Sequence, residues 1–264
     1  MRIAGWVAAG GTAAAWWWLR QSPAGTDPAW VRRNYRDREV SLLLGPAVAA
    51  GATLGVAAAG SSRRTSAVLA VAAIGAVGGY DDRYGDSHAR GLRGHLRALR
   101  EGRVTTGLVK LVTMAGVAAL SSARHSRKPV DVALGTVLVA GSANLVNLFD
   151  LRPGRAAKVT GVTAAVLSRI GPAPARAIAG AAGGAVSAAI VPDVREQAML
   201  GDCGAGALGA TIGWSLAMRP SRLTRLAAAT AVVGATLASE RTSFSAVIEA
   251  NPVLRRLDRL GRAS

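Results

Sequence analysis

The sequence predicts an all-α fold, a polytopic integral membrane bundle of about nine transmembrane helices with amphipathic helices on its cytoplasmic side. Three observations predict it. Half of the 264 residues are hydrophobic and the mean hydropathy is +0.29, yet the formal net charge is +17. The arginines and lysines stand in short patches between apolar runs almost free of charge. That pattern belongs to helix ends and loops at a membrane surface; a nucleic-acid binder would gather its basic residues on one face, so no nucleic-acid partner is expected. Finally, Ala and Gly dominate the apolar runs, which suits helices packed closely through small residues in a bilayer. The single cysteine, Cys203, excludes an internal disulfide and any multi-cysteine metal site.

Taken in order, the runs at 3–19, 40–60, 66–80, 104–120, 130–148, 156–170, 175–191, 204–218 and 223–238 read as spans, the third, sixth and eighth being short. Trp16, Trp17 and Trp18 close the first at the level of an interfacial aromatic belt. No clean small-residue cleavage site follows them, so the run reads as a span and not as a signal peptide. An odd number of spans puts the termini on opposite sides. With the N-terminus outside, the cytoplasmic segments carry roughly twice the Lys and Arg of the other side, as the positive-inside rule requires. Residues 1–238 therefore form the membrane domain and 239–264 a cytoplasmic amphipathic tail.

Two cytoplasmic stretches read as surface helices. Arg90, Arg93, Arg97 and Arg100 recur at helical spacing beside Leu92, Leu96 and Leu99. In the tail, Asn251-Pro252 is an N-cap and first-turn pair, after which Val253, Leu254, Leu257 and Leu260 oppose Arg255, Arg256, Arg259 and Arg262. His88 and His95 lie seven apart on one such face, and His125 falls on the opposite side of the membrane.

The carboxylates are scarce and oddly placed. Asp81 and Asp82 follow the third run, Asp150 follows the fifth in ANLVNLFDLRPGRAAK, and Asp202 opens the eighth in MLGDCGAGALG. On this topology all four lie at cytoplasmic helix ends. Ionisable residues near membrane depth point to a functional site, and several acids among arginines suit a divalent cation with a phosphorylated ligand. Each Asp taken alone reads more simply as a helix cap or an arginine's partner. Phosphate-loop, HExxH and Ser-His-Asp patterns are missing.

The ordered trio DD, NxxNLxD and GDxG, each at the cytoplasmic end of a membrane run, resembles the polyprenyl-phosphate N-acetylhexosamine-1-phosphate transferases, which include phospho-MurNAc-pentapeptide translocase and the GlcNAc-1-phosphate transferases. The likeness runs over residues 34–238. It implies an enzyme that moves a sugar-1-phosphate from a UDP-sugar to a polyprenyl phosphate, with Mg²⁺ as cofactor and UMP released, in cell-envelope polysaccharide or peptidoglycan-related synthesis. It further implies that Asp202 is the metal ligand, that Asp81 and Asp82 lie beside the polyprenyl phosphate, and that Asp150 with Asn147 faces the nucleotide. Asn144 would support that loop, and Arg152, Arg90 and Arg93 would hold anionic groups. A homodimer is compatible with this reading. The chain also departs from the family: DLRPG stands where DGxDG is usual, with Pro153 in place of the second acid. GDCGA replaces GDxGS, and the histidine-rich loop has no counterpart, which argues against the muramoyl-pentapeptide donor. The alternative is a non-catalytic relative that binds a polyprenyl lipid or an envelope-synthesis partner.

Overall fold

A computed structural model describes residues 2–61, 63–85 and 91–262; within 91–100 it does not describe the side chains of residues 91–93, 95 and 96. The chain is mostly helical. All nine apolar runs form helices: α1 (Arg2–Gln21), α2 (Leu44–Ala57), α3 (Arg64–Tyr84), then α5 (Thr106–Ala123), α6 (Pro129–Phe149), α7 (Arg155–Leu167), α8 (Ala173–Val194), α9 (Gly201–Ala217) and α10 (Arg222–Arg241). Between α3 and α5 lies the basic helix α4 (Gly91–Arg100), and the tail folds into α11 (Phe244–Ala250) and α12 (Pro252–Arg259).

Three of these helices, α5, α6 and α8, are long and apolar enough to cross a membrane. The others fall short by length or composition. The run at 40–60 gives only the 14-residue α2, because its first residues are taken up by a strand and a turn. Apolar side chains nonetheless line the outer surfaces of the other helices too: Trp6, Val162 and Leu223 are each more than 60% exposed.

The chain sets its own helix boundaries. Thr105 caps α5 by accepting a hydrogen bond from the N–H of Leu108. Pro129 opens α6, with Asp131 in its first turn. Asn251 caps α12 by accepting from the N–H groups of Val253 and Leu254, with Pro252 in the first turn, as the sequence predicts.

Helix α9 is the axis of the bundle. From Cys203 to Ser215 every residue is buried, and α2, α3, α6, α7 and α8 pack around it. Small residues allow this: a Cβ added at Gly209 or Gly213 would strike the backbone of α6 at Ser142 and Leu138. Close backbone approach through small residues is the packing that the composition predicts.

A two-stranded hairpin is an element that hydropathy does not reveal. Strands β1 (Val31–Arg33) and β2 (Glu39–Ser41) pair antiparallel around Asn34, whose side-chain oxygen accepts from the N–H groups of Arg36 and Arg38. Asp37 takes the left-handed conformation at φ 61° that closes the turn. The hairpin is tied to the α8–α9 link, where the N–H of Met199 donates to the carbonyl of Ser41.

Candidate active site

The DD pair ends α3, and its two members do different things. Asp82 is 8% exposed and points at the start of α9. Its Oδ1 accepts from the N–H of Asp202 and its Oδ2 from the N–H of Cys203, both at 2.9 Å. Residue Leu200, at the N-cap position of α9, supplies no capping side chain, so a carboxylate from α3 meets the orphan N–H groups and the positive end of the helix dipole. Gly201 makes room: it holds φ +60°, and a Cβ there would lie 2.7 Å from Asp82 Oδ2. Asp82 is thus a cap, the plainer of its two sequence readings. Arg32 of β1 donates to the main-chain carbonyl of the same residue.

Asp81 faces the other way. Lys110, on α5, places its Nζ 2.6 Å from Asp81 Oδ2 and 2.7 Å from Asp202 Oδ2. The three side chains are 14%, 12% and 22% exposed, so the cluster is shielded but reachable. Two carboxylates from helices far apart in sequence therefore converge on one cation position. Sequence reasoning passed over Lys110 because it lies inside an apolar run, although an ionisable residue there is itself a signal.

Asp150 follows α6 and is 7% exposed; its Oδ2 has no partner among the described residues. It lies within electrostatic reach of Asp82, Asp193 and Asp202, so the four acids singled out from the sequence gather at one end of the bundle. Asn144 and Asn147 occupy the same face of α6, half-buried, about two turns and one turn before it respectively.

Two further acids there escaped sequence reasoning. Asp193, near the end of α8, is 1% exposed with both oxygens unpartnered among the described residues. Glu196 accepts from Asn34 Nδ2 at 2.8 Å and pairs with Arg36 at 3.2 Å. Their signal was available in IVPDVREQ, an acidic helix end resembling the others. With Asp150, Arg152 and Tyr35 they line a cavity of about 180 Å³.

The tail closes this end. Arg155, buried at the start of α7, forms a two-pronged pair with Asp258 of α12 at 3.0 and 3.1 Å, while Lys158 donates to the Asp258 carbonyl at 2.7 Å. Phe244 stacks on Phe149 with ring centres 4.2 Å apart. Burial pushes the Asp258 carboxyl up, but the hydrogen bond from Arg155 and the charges of Arg155, Arg262 and Lys158 outweigh it and hold the group below its ordinary value. Between tail and bundle lies a basin of about 560 Å³ lined by Arg152, Arg255, Arg259 and Arg262. Tyr35 and Arg152, stacked at 4.0 Å, border both cavities.

Arg90 and His88 lie outside the described residues, as do the side chains of Arg93 and His95. Among the described residues no three His, Cys, Asp or Glu are spaced to hold a metal ion by themselves. Mg²⁺ normally takes only one or two carboxylates, substrate phosphates and waters completing its shell. The Asp81–Asp202 pair, already drawn around one cation, fits that smaller demand. No model of a known protein family matches the chain, and no curated protein matches it.

Proposed function

We propose that the chain is a multi-pass membrane phosphoglycosyltransferase, which transfers a sugar-1-phosphate from a UDP-sugar to a polyprenyl phosphate. One observation carries this reading: three sequence-distant motifs bring Asp81, Asp82, Asp150 and Asp202 to one end of the bundle, two of them sharing a cation. The resemblance of DD, NxxNLxD and GDxG to the polyprenyl-phosphate transferases supports the same conclusion. In the reaction, an oxygen of the lipid phosphate bonds to the phosphorus that carries the sugar. The bond from that phosphorus to the bridging oxygen breaks, and UMP leaves.

Asp81 and Asp202 would hold Mg²⁺, which would supply positive charge to neutralise the donor pyrophosphate. Lys110 holds the two carboxylates together in the absence of the ion, and would swing aside when it binds to stand beside the lipid phosphate as a positive charge. Asp82 acts by position, fixing α9 so that Asp202 stands opposite Asp81. Asn147 and Asp150 face the nucleotide, with Asn144 supporting the loop. Arg152 and the basin arginines hold the anionic groups, and Arg90 and Arg93 extend the basic surface. The site faces the cytoplasm, with the N-terminus outside and the bundle edge in lipid.

A second reading, a non-catalytic relative that binds a polyprenyl lipid, is favoured by Lys110 standing where the metal would and by Pro153 in place of the family's second acid. Detergent-purified protein given polyprenyl phosphate and a panel of UDP-sugars separates the two. Mg²⁺-dependent UMP release, lost in Asp202→Asn, supports the transferase. No release from any donor, with lipid phosphate still bound, supports the binding scaffold.

A further inference from the structure

The opposite end of the bundle carries a second polar cavity, of about 460 Å³, lined by Arg63, His125, Asp131, Trp214 and Arg225 among others. That volume suits a small ligand. Trp214 lies on α9 twelve residues beyond Asp202, about 18 Å along the helix. The cavity is therefore separate from the carboxylate cluster.

Its wall holds buried side-chain nitrogens that lack a hydrogen-bond partner among the described residues. Trp214 is 2% exposed, and its Nε1 has no partner among the described residues; neither do the buried Nε of Arg225 and Nε2 of His125. The His125 ring meets the Trp214 ring edge-on, with centres 5.9 Å apart, which holds both in place. An indole N–H and a guanidinium can only donate, so their missing partner is an acceptor. Asp131 cannot fill that role. Its oxygens already take Arg222 at 2.8 and 2.9 Å, Arg225 at 3.1 Å and Ser126 at 3.3 Å. Arg222 and Arg225 together outweigh its single charge, and Arg63 adds another positive charge at the cavity.

We propose that this cavity is an oxyanion site that takes a phosphate group, donated by a lipid headgroup or by a soluble phosphate. A phosphate offers acceptor oxygens to several donors at once and offsets the surplus positive charge. The inference does not depend on the transferase reading, since none of its residues belongs to the carboxylate end.

The test is calorimetric titration of the full chain in uncharged detergent, with inorganic phosphate in one arm and short-chain phosphatidylglycerol in the other. Trp214→Phe removes the indole N–H while keeping an aromatic ring, and Arg63→Gln removes a charge at the cavity without touching the packed core. Each is expected to weaken binding about tenfold, as for one hydrogen bond to a charged group. Binding in both arms, or in the lipid arm or the inorganic arm alone, supports the site and names its source, provided the variants weaken it. If Trp214→Phe does not fold, Arg63→Gln decides. No binding in either arm up to about 10 mM, or binding undiminished by the variants, overturns the proposal.

Discussion

Replacing Lys110 with methionine removes the cation between Asp81 and Asp202 while keeping most of the side chain's length. Each hydrogen bond between charged groups contributes about 1.5–3 kcal/mol, and deleting one partner of a buried pair costs about 3–5 kcal/mol because the other charge is left uncompensated. Here one deletion strands two carboxylates, at 2.6 and 2.7 Å from the lost ammonium. Side-chain exposures of 12% and 22% let water screen part of that penalty. We therefore expect a loss of about 3 kcal/mol, on the order of a hundredfold in the unfolding equilibrium. Far-UV circular dichroism during titration of the micellar protein with a denaturing detergent reads this directly. If the two carboxylates form the Mg²⁺ position, the ion should rescue the variant. At a hundred times its dissociation constant it returns about 2.7 kcal/mol, and it should do much less for the parent protein, where Lys110 competes. Adding Asp202→Asn to the variant should abolish the rescue. An unchanged denaturation midpoint in Lys110→Met, or equal Mg²⁺ stabilisation of variant and parent, would refute the reasoning.

Other outcomes follow from the same geometry. Gly201→Ala should cost about 2–3 kcal/mol, since it forces an L-residue into the left-handed region and drives a Cβ against Asp82; the same titration measures it. Asp82→Ala leaves the α9 N–H groups of Asp202 and Cys203 without their acceptor and should cost about 2 kcal/mol, whereas a loss under half a kilocalorie would argue against the cap. For the tail the sign depends on Asp258. Its folded value is depressed, so its contribution is complete above the unfolded carboxylate value of about 3.9 and is lost as pH falls through the folded value beneath it. Asp258→Ala should release the tail at neutral pH, read as faster proteolysis between α10 and α12; protection equal to that of the parent protein would show that the other contacts, the Phe244 stack and the Lys158 bond to the main-chain carbonyl among them, suffice to hold it.

The bundle was largely legible because apolar runs are long-range signals: each of the nine appears as a helix, and Asn251-Pro252 opens α12 where its chemistry indicates. The number of membrane crossings was less so. Ala and Gly are weakly apolar, and α9, buried by protein on all sides, need not be hydrophobic enough for lipid. The hairpin was missed because each strand is three residues long and sits in a charged segment, where its pairing with the α8–α9 link leaves no local pattern. Within the site, motif order indicated which acids assemble but not how they divide the work. Asp81 and Asp82 are neighbours in sequence, yet one faces a lysine and the other a helix terminus; the helical rotation of about 100° between them decides that. Lys110 and Asp193 each carried a local signal, but the site they join depends on which helices adjoin.

The lysine between the two acids also has a place in the order of synthesis. Lys110 emerges 29 residues after Asp81 and 92 residues before Asp202. A chain leaving the ribosome can thus neutralise Asp81 as soon as α5 packs on α3, well before α9 exists. Asp202 then arrives at a site that already holds a counter-charge, and Asp82, in place on α3 since before α5 was made, receives the new helix end. Asp202 therefore never meets Asp81 without a cation between them. The docking of α9, the most buried helix of the bundle, is thus the event that completes the acid pair.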